Sequence, residues 1–272
     1  MKIGMDGDLS YFKKFDKVVL TVYMTSKKDP QRGIFQDNNS YNYIKPWYET
    51  MKEKELHGVI FYDNLSDDFI KKYQTDKIFF VKTKLGEYSI NDERYIIYHV
   101  FLNKNPHYKY VLTSDVSDVE INKDPFDLMQ LEPEKLFIGT NVVLQGPEER
   151  TPKWYDRREW KIVRFNDALK RANYDPIGYT KNKYQIFNVG LLGGSYKVLK
   201  PFIDEMCRII FIVNNNKNNN MLIANYIVVK HYIEGYNQVT FCTDKLITGY
   251  PFNSVYKKYE KLGESEAALI HK

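Results

Sequence analysis

At 272 residues, with 43% hydrophobic and 28% charged residues, the sequence has the make-up of a soluble globular protein of one large domain or two small ones. Its net charge of +5 arises from Lys and Arg scattered along the chain, which argues against nucleic-acid binding but suits a phosphorylated substrate. No apolar run reaches membrane-spanning length, Met1–Asp8 lacks the apolar core of a signal peptide, and Cys207 and Cys242 have no metal or redox spacing. These features predict a cytoplasmic protein with buried free thiols. The 23 tyrosines suit either a sugar-binding surface or a core in which Tyr replaces Phe.

Lys17–Met24 is an unbroken β-branched run behind a charge, the pattern of a buried parallel strand. The polar loop Thr25–Gly33 follows, a candidate donor-nucleotide contact because ligands in open α/β sheets bind beyond the carboxyl ends of strands. Tyr41–Leu56 has helical spacing, with Trp47, Met51 and Leu56 on one side. His57–Asp63 predicts a second strand ending in an acid, Ser66–Tyr73 a short helix capped by Ser66, and Lys77–Lys82 a third strand. Ser89–Leu102 predicts a helix with Asp92 and Glu93 at its positive end, terminating near Asn105-Pro106. Arg94, early in this helix, is a candidate diphosphate contact, the alternative being a surface ion pair with a neighbouring acid.

The next segment carries the strongest chemical signal. An apolar strand from Tyr108 rises to Asp115 and Asp118, and Asp124-Pro125-Phe126 closes it. Hard cations such as Mg²⁺ and Mn²⁺ take oxygen ligands, commonly one or two carboxylates plus substrate phosphates. A solvated acidic turn is the alternative.

Lys135–Val143 predicts another strand, followed by a long polar and aromatic excursion, Gln145–Tyr184, with Trp154, Tyr155, Asp156, Glu159 and Trp160 close together. Such excursions often line a cleft. A helix is expected within it at Phe165–Ala172. Tyr184–Gly194 predicts a strand in which Gly190, Gly193 and Gly194 mark close backbone approach, either to a ligand or at a bulge. Helices are expected at Val198–Val213 and Met221–Tyr232, joined by the Asn-rich loop Asn214–Asn220, with a late strand at Gln238–Thr243. The alternation of strands and helices predicts an α/β fold with a mainly parallel sheet covered on both faces. The Gly-rich dinucleotide fingerprint and the phosphate-binding loop signature are both absent.

Three features together resemble the GT-A glycosyltransferases, a nucleotide-sugar enzyme fold with one Rossmann-like core. Asp118 lies six residues before Asp124-Pro125-Phe126, the place of that family's second metal-binding acid. The first acid would fall at Val116, so Asp115 must serve, as Asp-x-x-Asp. Phe187-Asn188-Val-Gly190-Leu-Leu-Gly193-Gly194 resembles the strand beneath the transferred sugar, and Ile270-His271-Lys272 resembles a closing segment whose His is a third metal ligand. The style of the chain is similar to glycosyltransferases encoded by large algal (chlorella) viruses, which would place it in the host cytoplasm.

The resemblance implies a single GT-A domain over 1–272, with a nucleotide-sugar half at about 15–130 and an acceptor half at about 131–272. It implies Mn²⁺ (or Mg²⁺) held by Asp115, Asp118 and His271, the mixed oxygen and imidazole set favouring Mn²⁺. Thr21, Tyr23, Arg94, Asp115, Asn188, Gly190, Gly193 and Lys272 would contact a UDP-sugar carrying a hexose or a pentose such as xylose. A glycan hydroxyl would be the acceptor, with inversion and with Asp156 or Glu159 as base; pairing of these two acids with Arg157 and Arg158 is the bland alternative. A retaining transferase, a metal-dependent nucleotidyltransferase or phosphohydrolase, and a non-catalytic sugar- or nucleotide-binding protein are the competing readings. One departure stands out: many relatives open the helix after the glycine strand with Asp, and here Asn219-Asn220 stand there. An amide cannot accept a proton at neutral pH, so a base must come from elsewhere or not be used.

Overall fold

The computed structural model describes residues 10–30, 32–140, 167, 169–170, 174, 187–214, 217–233, 246–248, 253–255 and 268–271. After a 3₁₀ turn (Ser10–Lys14), the elements in chain order are β1 (Lys17–Tyr23), α1 (Tyr41–Glu53), β2 (Gly58–Tyr62), α2 (Asp67–Tyr73), β3 (Ile78–Lys82) and α3 (Ile90–Lys104). Then come β4 (Tyr110–Ser114), β5 (Val119–Ile121), α4 (Pro125–Leu131), β6 (Leu136–Thr140), β7 (Phe187–Ser195), α5 (Tyr196–Val213) and α6 (Asn220–Ile227). A π-helical turn (Val228–Ile233) and the short strands β8 (Leu246–Thr248), β9 (Asn253–Val255) and β10 (Leu269–His271) complete them.

The helix starts follow their caps. Ser66 Oγ accepts from Phe69 N, Ser89 Oγ from Asp92 N, and Asp124 from Phe126 N, with Pro125 at the first helical position. The helix expected to run through Tyr232 instead widens into a π turn at Val228. The expected strand at Gln238–Thr243 and nearly all of the excursion at 145–184 lie outside the described residues; Asp167, Leu169 and Lys170, inside the expected helix, are helical.

Seven strands form one sheet in the order β3-β2-β1-β4-β7-β6-β8. The first four are mutually parallel, β7 runs antiparallel to both β4 and β6, and β8 is parallel to β6. The sheet is therefore mixed beyond β4. The chain steps outward from β1 to β2 to β3, then returns through α3 to lay β4 on the other side of β1. That reversal is a topological switch point, and the crevice outside the carboxyl ends of β1 and β4 is where such sheets bind ligands.

Residue alternation sorts the strands between two cores. Val18, Leu20, Val59 and Phe61 pack with α3, α5 and α6 on one face. Val19, Ile60 and Leu112 pack with Trp47 and Met51 of α1, Phe69 of α2 and Met129 of α4 on the other. Tyr23, Tyr95, Tyr98 and Tyr108 are fully or almost fully buried, so several tyrosines do serve as core aromatics. A second small sheet, β5-β10-β9, pairs β10 antiparallel to β5 and parallel to β9. Among the described residues no helix is long and apolar enough to cross a membrane.

At the opposite end of the strands from the crevice, His57 is buried between the Lys77 carbonyl (3.0 Å from Nδ1) and the Tyr108 hydroxyl (3.1 Å from Nε2), stacked on Phe15. Nδ1 must donate to the carbonyl, which leaves Nε2 to accept from Tyr108, so the neutral ring satisfies both partners. Burial pulls its pKa down to about 4, with the Lys77 carbonyl opposing. The unfolded chain takes up this proton first, so the contribution of His57 is complete above about pH 6.5 and is lost as pH falls toward 4. That loss amounts to about 3 kcal/mol. In denaturation curves of wild type and His57→Phe, the stability gap between them should shrink by about this amount from pH 7 to pH 4; a gap independent of pH would contradict it.

Candidate metal centre and its crevice

The tip of β4 is fixed before the acids begin. The Ser114 carbonyl accepts from Thr21 Oγ1 (2.8 Å), its hydroxyl accepts from Trp47 Nε1 (2.9 Å), and Asp115 N donates to the Gly190 carbonyl (2.9 Å). In the turn that follows, Asp115, Val116, Ser117 and Asp118 all border the crevice, and Val116, 3% exposed, also packs into the core beside α1. β5 then pairs with β10 in a register that sets His271 opposite Val119, beside Asp118.

The result is a three-residue cluster. His271 Nε2 lies 3.7 Å from Asp115 Oδ2 and 3.8 Å from Asp118 Oδ2, and one ligand atom from each residue falls within 4.8 Å of the others. An octahedral cation with bonds of ~2.1 Å separates its ligands by roughly 3 to 4.2 Å, and the two His271–carboxylate separations, 3.7 and 3.8 Å, fall in that range. Asp115 is also ion-paired through Oδ1 with Arg94 Nη1. Burial resists ionisation of Asp115, but Arg94 and His271, with a smaller contribution from Arg32, outweigh it and hold its carboxyl below the usual range. Burial likewise opposes charge on His271, but Asp118 and Asp115 outweigh it and raise its pKa. A cation must displace that proton to bind the imidazole.

The expected residues divide sharply. Arg94, Asp115, Asp118, Asn188 and Gly190 line one crevice, and His271 stands with the two acids. Arg94 is neither exposed nor paired with an adjacent acid; it is buried against Asp115. Thr21 and Tyr23 do not line the crevice. Thr21 donates within the sheet to Ser114, and the Tyr23 hydroxyl donates to the Asp37 carbonyl and accepts from Ser40 N (3.1 Å), while Val22 and Met24, of the opposite parity, reach the crevice instead. Gly193 serves packing: a Cβ there would stand 2.4 Å from Met129 Cε and 3.1 Å from Leu112 Cδ1. Asp156, Glu159 and Lys272 lie outside the described residues.

Other lining residues include two from the loop Thr25–Gly33, expected to contact the donor nucleotide, and Asn220, noted as the amide in place of an acid; Tyr43 was not singled out beforehand. Asp29 and Arg32 come from a tight hairpin in the loop after β1, in which Lys28 bridges Phe35 and Gly33 takes φ +72°. The turn Asp-Pro-Gln-Arg-Gly was the available signal, since glycine supplies the positive φ. Tyr43, its phenol pushed up to about 12 by burial and then by the Asp115 charge, covers the acidic turn near Ser117. Asn220 is 3% exposed, lines the crevice, and its Oδ1 has no hydrogen-bond partner among the described residues. The N-terminus of α6 is held from outside by Asp92 of α3, which accepts from Asn220 N (2.7 Å), Asn219 N (3.1 Å) and Asn219 Nδ2 (3.3 Å). Burial raises Asp92 to about 6 against these donors.

Comparison with the profiles of known protein families gives no match, and none of the curated proteins matches the chain.

Gly190 is the part of β7 on which the cluster rests. A Cβ there would fall 2.5 Å from His271 Cε1 and 2.6 Å from Asp115 Oδ2. Gly190→Ala should therefore displace two of the three ligands and weaken Mn²⁺ binding by at least about tenfold, roughly 1.4 kcal/mol, while circular dichroism stays that of the wild type. Calorimetric titration with unchanged Mn²⁺ affinity would refute this.

Proposed function

We propose that the chain is a metal-dependent glycosyltransferase of the GT-A type that moves a sugar from a nucleotide-diphosphate donor, a UDP-sugar carrying a hexose or pentose, to a glycan hydroxyl. The observation that carries this reading is the Asp115–Asp118–His271 cluster at the mouth of the switch-point crevice. A nucleotide sugar needs a cation for its diphosphate and a shaped recess for its sugar, and this crevice offers donors for the first beside a backbone floor, Asn188 and Gly190, for the second. Mn²⁺ (or Mg²⁺), when bound, supplies Lewis-acid stabilisation of the charge that grows on the leaving diphosphate.

The protein's own contribution is placement. Asp115 and Asp118 offer one oxygen each toward the ion, and His271 offers Nε2 in its neutral form. Arg32 extends from the hairpin into the same crevice, where a guanidinium suits a phosphate oxygen. Gly190 N donates to Asn188 Oδ1 (2.9 Å), which orients the Asn188 side chain on the floor. Inversion requires a general base at the acceptor hydroxyl. Asp156 and Glu159 remain the candidates, since the only acids lining the crevice among the described residues are Asp29, Asp115 and Asp118. The Asn220 amide supports retention as a second reading, because it stands in the crevice where related enzymes place an acid, and retention does not demand a discrete base.

A screen of UDP- and GDP-sugars with Mn²⁺ should find a donor whose sugar is released to water slowly and to a glycan acceptor faster. Asp118→Ala should lower that metal-dependent turnover by about a hundredfold or more, the loss of several kcal/mol of charge stabilisation. Turnover of nucleotides that no sugar acceptor accelerates would favour a nucleotidyltransferase or phosphohydrolase, and full activity of Asp118→Ala would overturn the metal-site reading.

A further inference from the structure

Arg94 is a buried cation bonded directly to one of the three candidate ligands. Its side chain is 9% exposed, Nη1 donates to Asp115 Oδ1, and Nη2 lies 3.2 Å from the Tyr95 hydroxyl and 3.4 Å from the Val189 carbonyl. The Tyr95 hydroxyl in turn donates to Val189 O (3.1 Å), so the guanidinium is held from α3, β4 and β7 together. A guanidinium held in this way keeps its charge beside Asp115, since it does not deprotonate.

Two consequences follow for the cluster. With Oδ1 engaged by Arg94, Asp115 turns Oδ2 toward His271 and would offer a bound cation a single oxygen, leaving room for phosphate oxygens and water beside the three donors. The charge balance is also set. Asp115 and Asp118 bring two negative charges, a ligating His271 is neutral, and Arg94 cancels one, leaving a single net negative charge to face a dication. Arg32 is the other described guanidinium on this crevice, and its neighbour Asp29 stands 3.9 Å away to compensate it. Salt screens a buried pair of this kind poorly.

We propose that Arg94 is a built-in counter-charge that makes cation binding conditional on a nucleoside diphosphate: alone, the cluster holds Mn²⁺ weakly, and an anionic diphosphate supplies the charge that Arg94 withholds. The proposal rests on the metal-site reading above. It makes Arg94 a positioning residue that sets the order of assembly, rather than a direct diphosphate contact, and by linkage Mn²⁺ and the diphosphate raise each other's affinity by one factor.

The test follows the free-Mn²⁺ electron paramagnetic resonance signal while protein is added, with and without UDP, against UDP and Mn²⁺ without protein. For wild type, UDP should tighten Mn²⁺ binding beyond that control by at least about tenfold. Arg94→Met should bind Mn²⁺ alone at least about tenfold tighter than wild type and gain less from UDP, because the opposing charge is gone. Arg94→Lys, which keeps the charge, should resemble wild type, and circular dichroism of both variants checks that they fold. Two results would overturn the proposal: wild-type Mn²⁺ affinity that UDP leaves unchanged while Mn²⁺ still binds, or a folded Arg94→Met that binds Mn²⁺ alone no tighter than wild type. If no variant binds Mn²⁺ with or without UDP, the metal-site reading itself falls.

Discussion

Asp115 is pulled in two directions by a single carboxylate: Arg94 takes one oxygen from behind and His271 faces the other from the front. The two partners come from α3 and β10, more than 170 residues apart in sequence, and Asp115 itself leaves β4 between them. Every element around the crevice is arranged so that these three side chains meet. The Ser114 clamps stop β4 from sliding, and the register of β10 on β5 decides which face His271 presents. A one-residue slip of β10 would turn Ile270 toward the acids and His271 away from them.

Behind this carboxylate lies a second linkage, running along α3 toward α6. Asp92, Arg94 and Tyr95 lie within one helical turn, yet they address different partners: Asp92 reaches the amides of Asn219 and Asn220, Arg94 reaches Asp115, and Tyr95 reaches the Val189 carbonyl. The start of α3 thus ties the helix that carries Asn220 to Asp115 at the tip of β4 and to β7. The absence of a side-chain cap on α6 itself fits this arrangement, since an acid from another helix satisfies its free N–H groups. The placement of Asn220 in the crevice therefore depends on packing between α3 and α6 as much as on its own helix.

The sheet, its capped helices and the acidic tip were legible in the sequence because each rests on local chemistry: β-branched runs, Ser and Asp caps, and an apolar strand that ends in carboxylates. What a single sequence does not encode locally was missed. The resemblance implied a donor contact for Thr21 and Tyr23, but parity along β1 turns Val22 and Met24 to the crevice, and both hydroxyls are engaged inside the fold. Gly193 looked like a ligand approach and proved to be room for Met129. Arg94 was recognised as noteworthy without its partner, because ion pairs across 21 residues of chain leave no periodic signature. The GT-A resemblance implied a mixed, mainly parallel sheet, and the sheet is mixed; that β7 is the antiparallel strand is set by tertiary pairing, which leaves no local pattern.

His57 and Asp92, each pushed toward its neutral form by burial, act against each other as pH changes. His57 loses its stabilising contribution as pH falls from about 6.5 to 4, because burial favours its neutral form and acid charges it. Asp92 behaves in the reverse sense: burial favours its protonated form, so its contribution is complete below about 3.8 and is lost as pH rises through about 6. Across the shared window the folded state holds an extra proton on Asp92 while the unfolded state holds one on His57, and the two slopes nearly cancel. One group sits below the sheet and the other beside the crevice, so the cancellation needs no contact between them. It follows from burying one acid and one base, each shifted toward its neutral form.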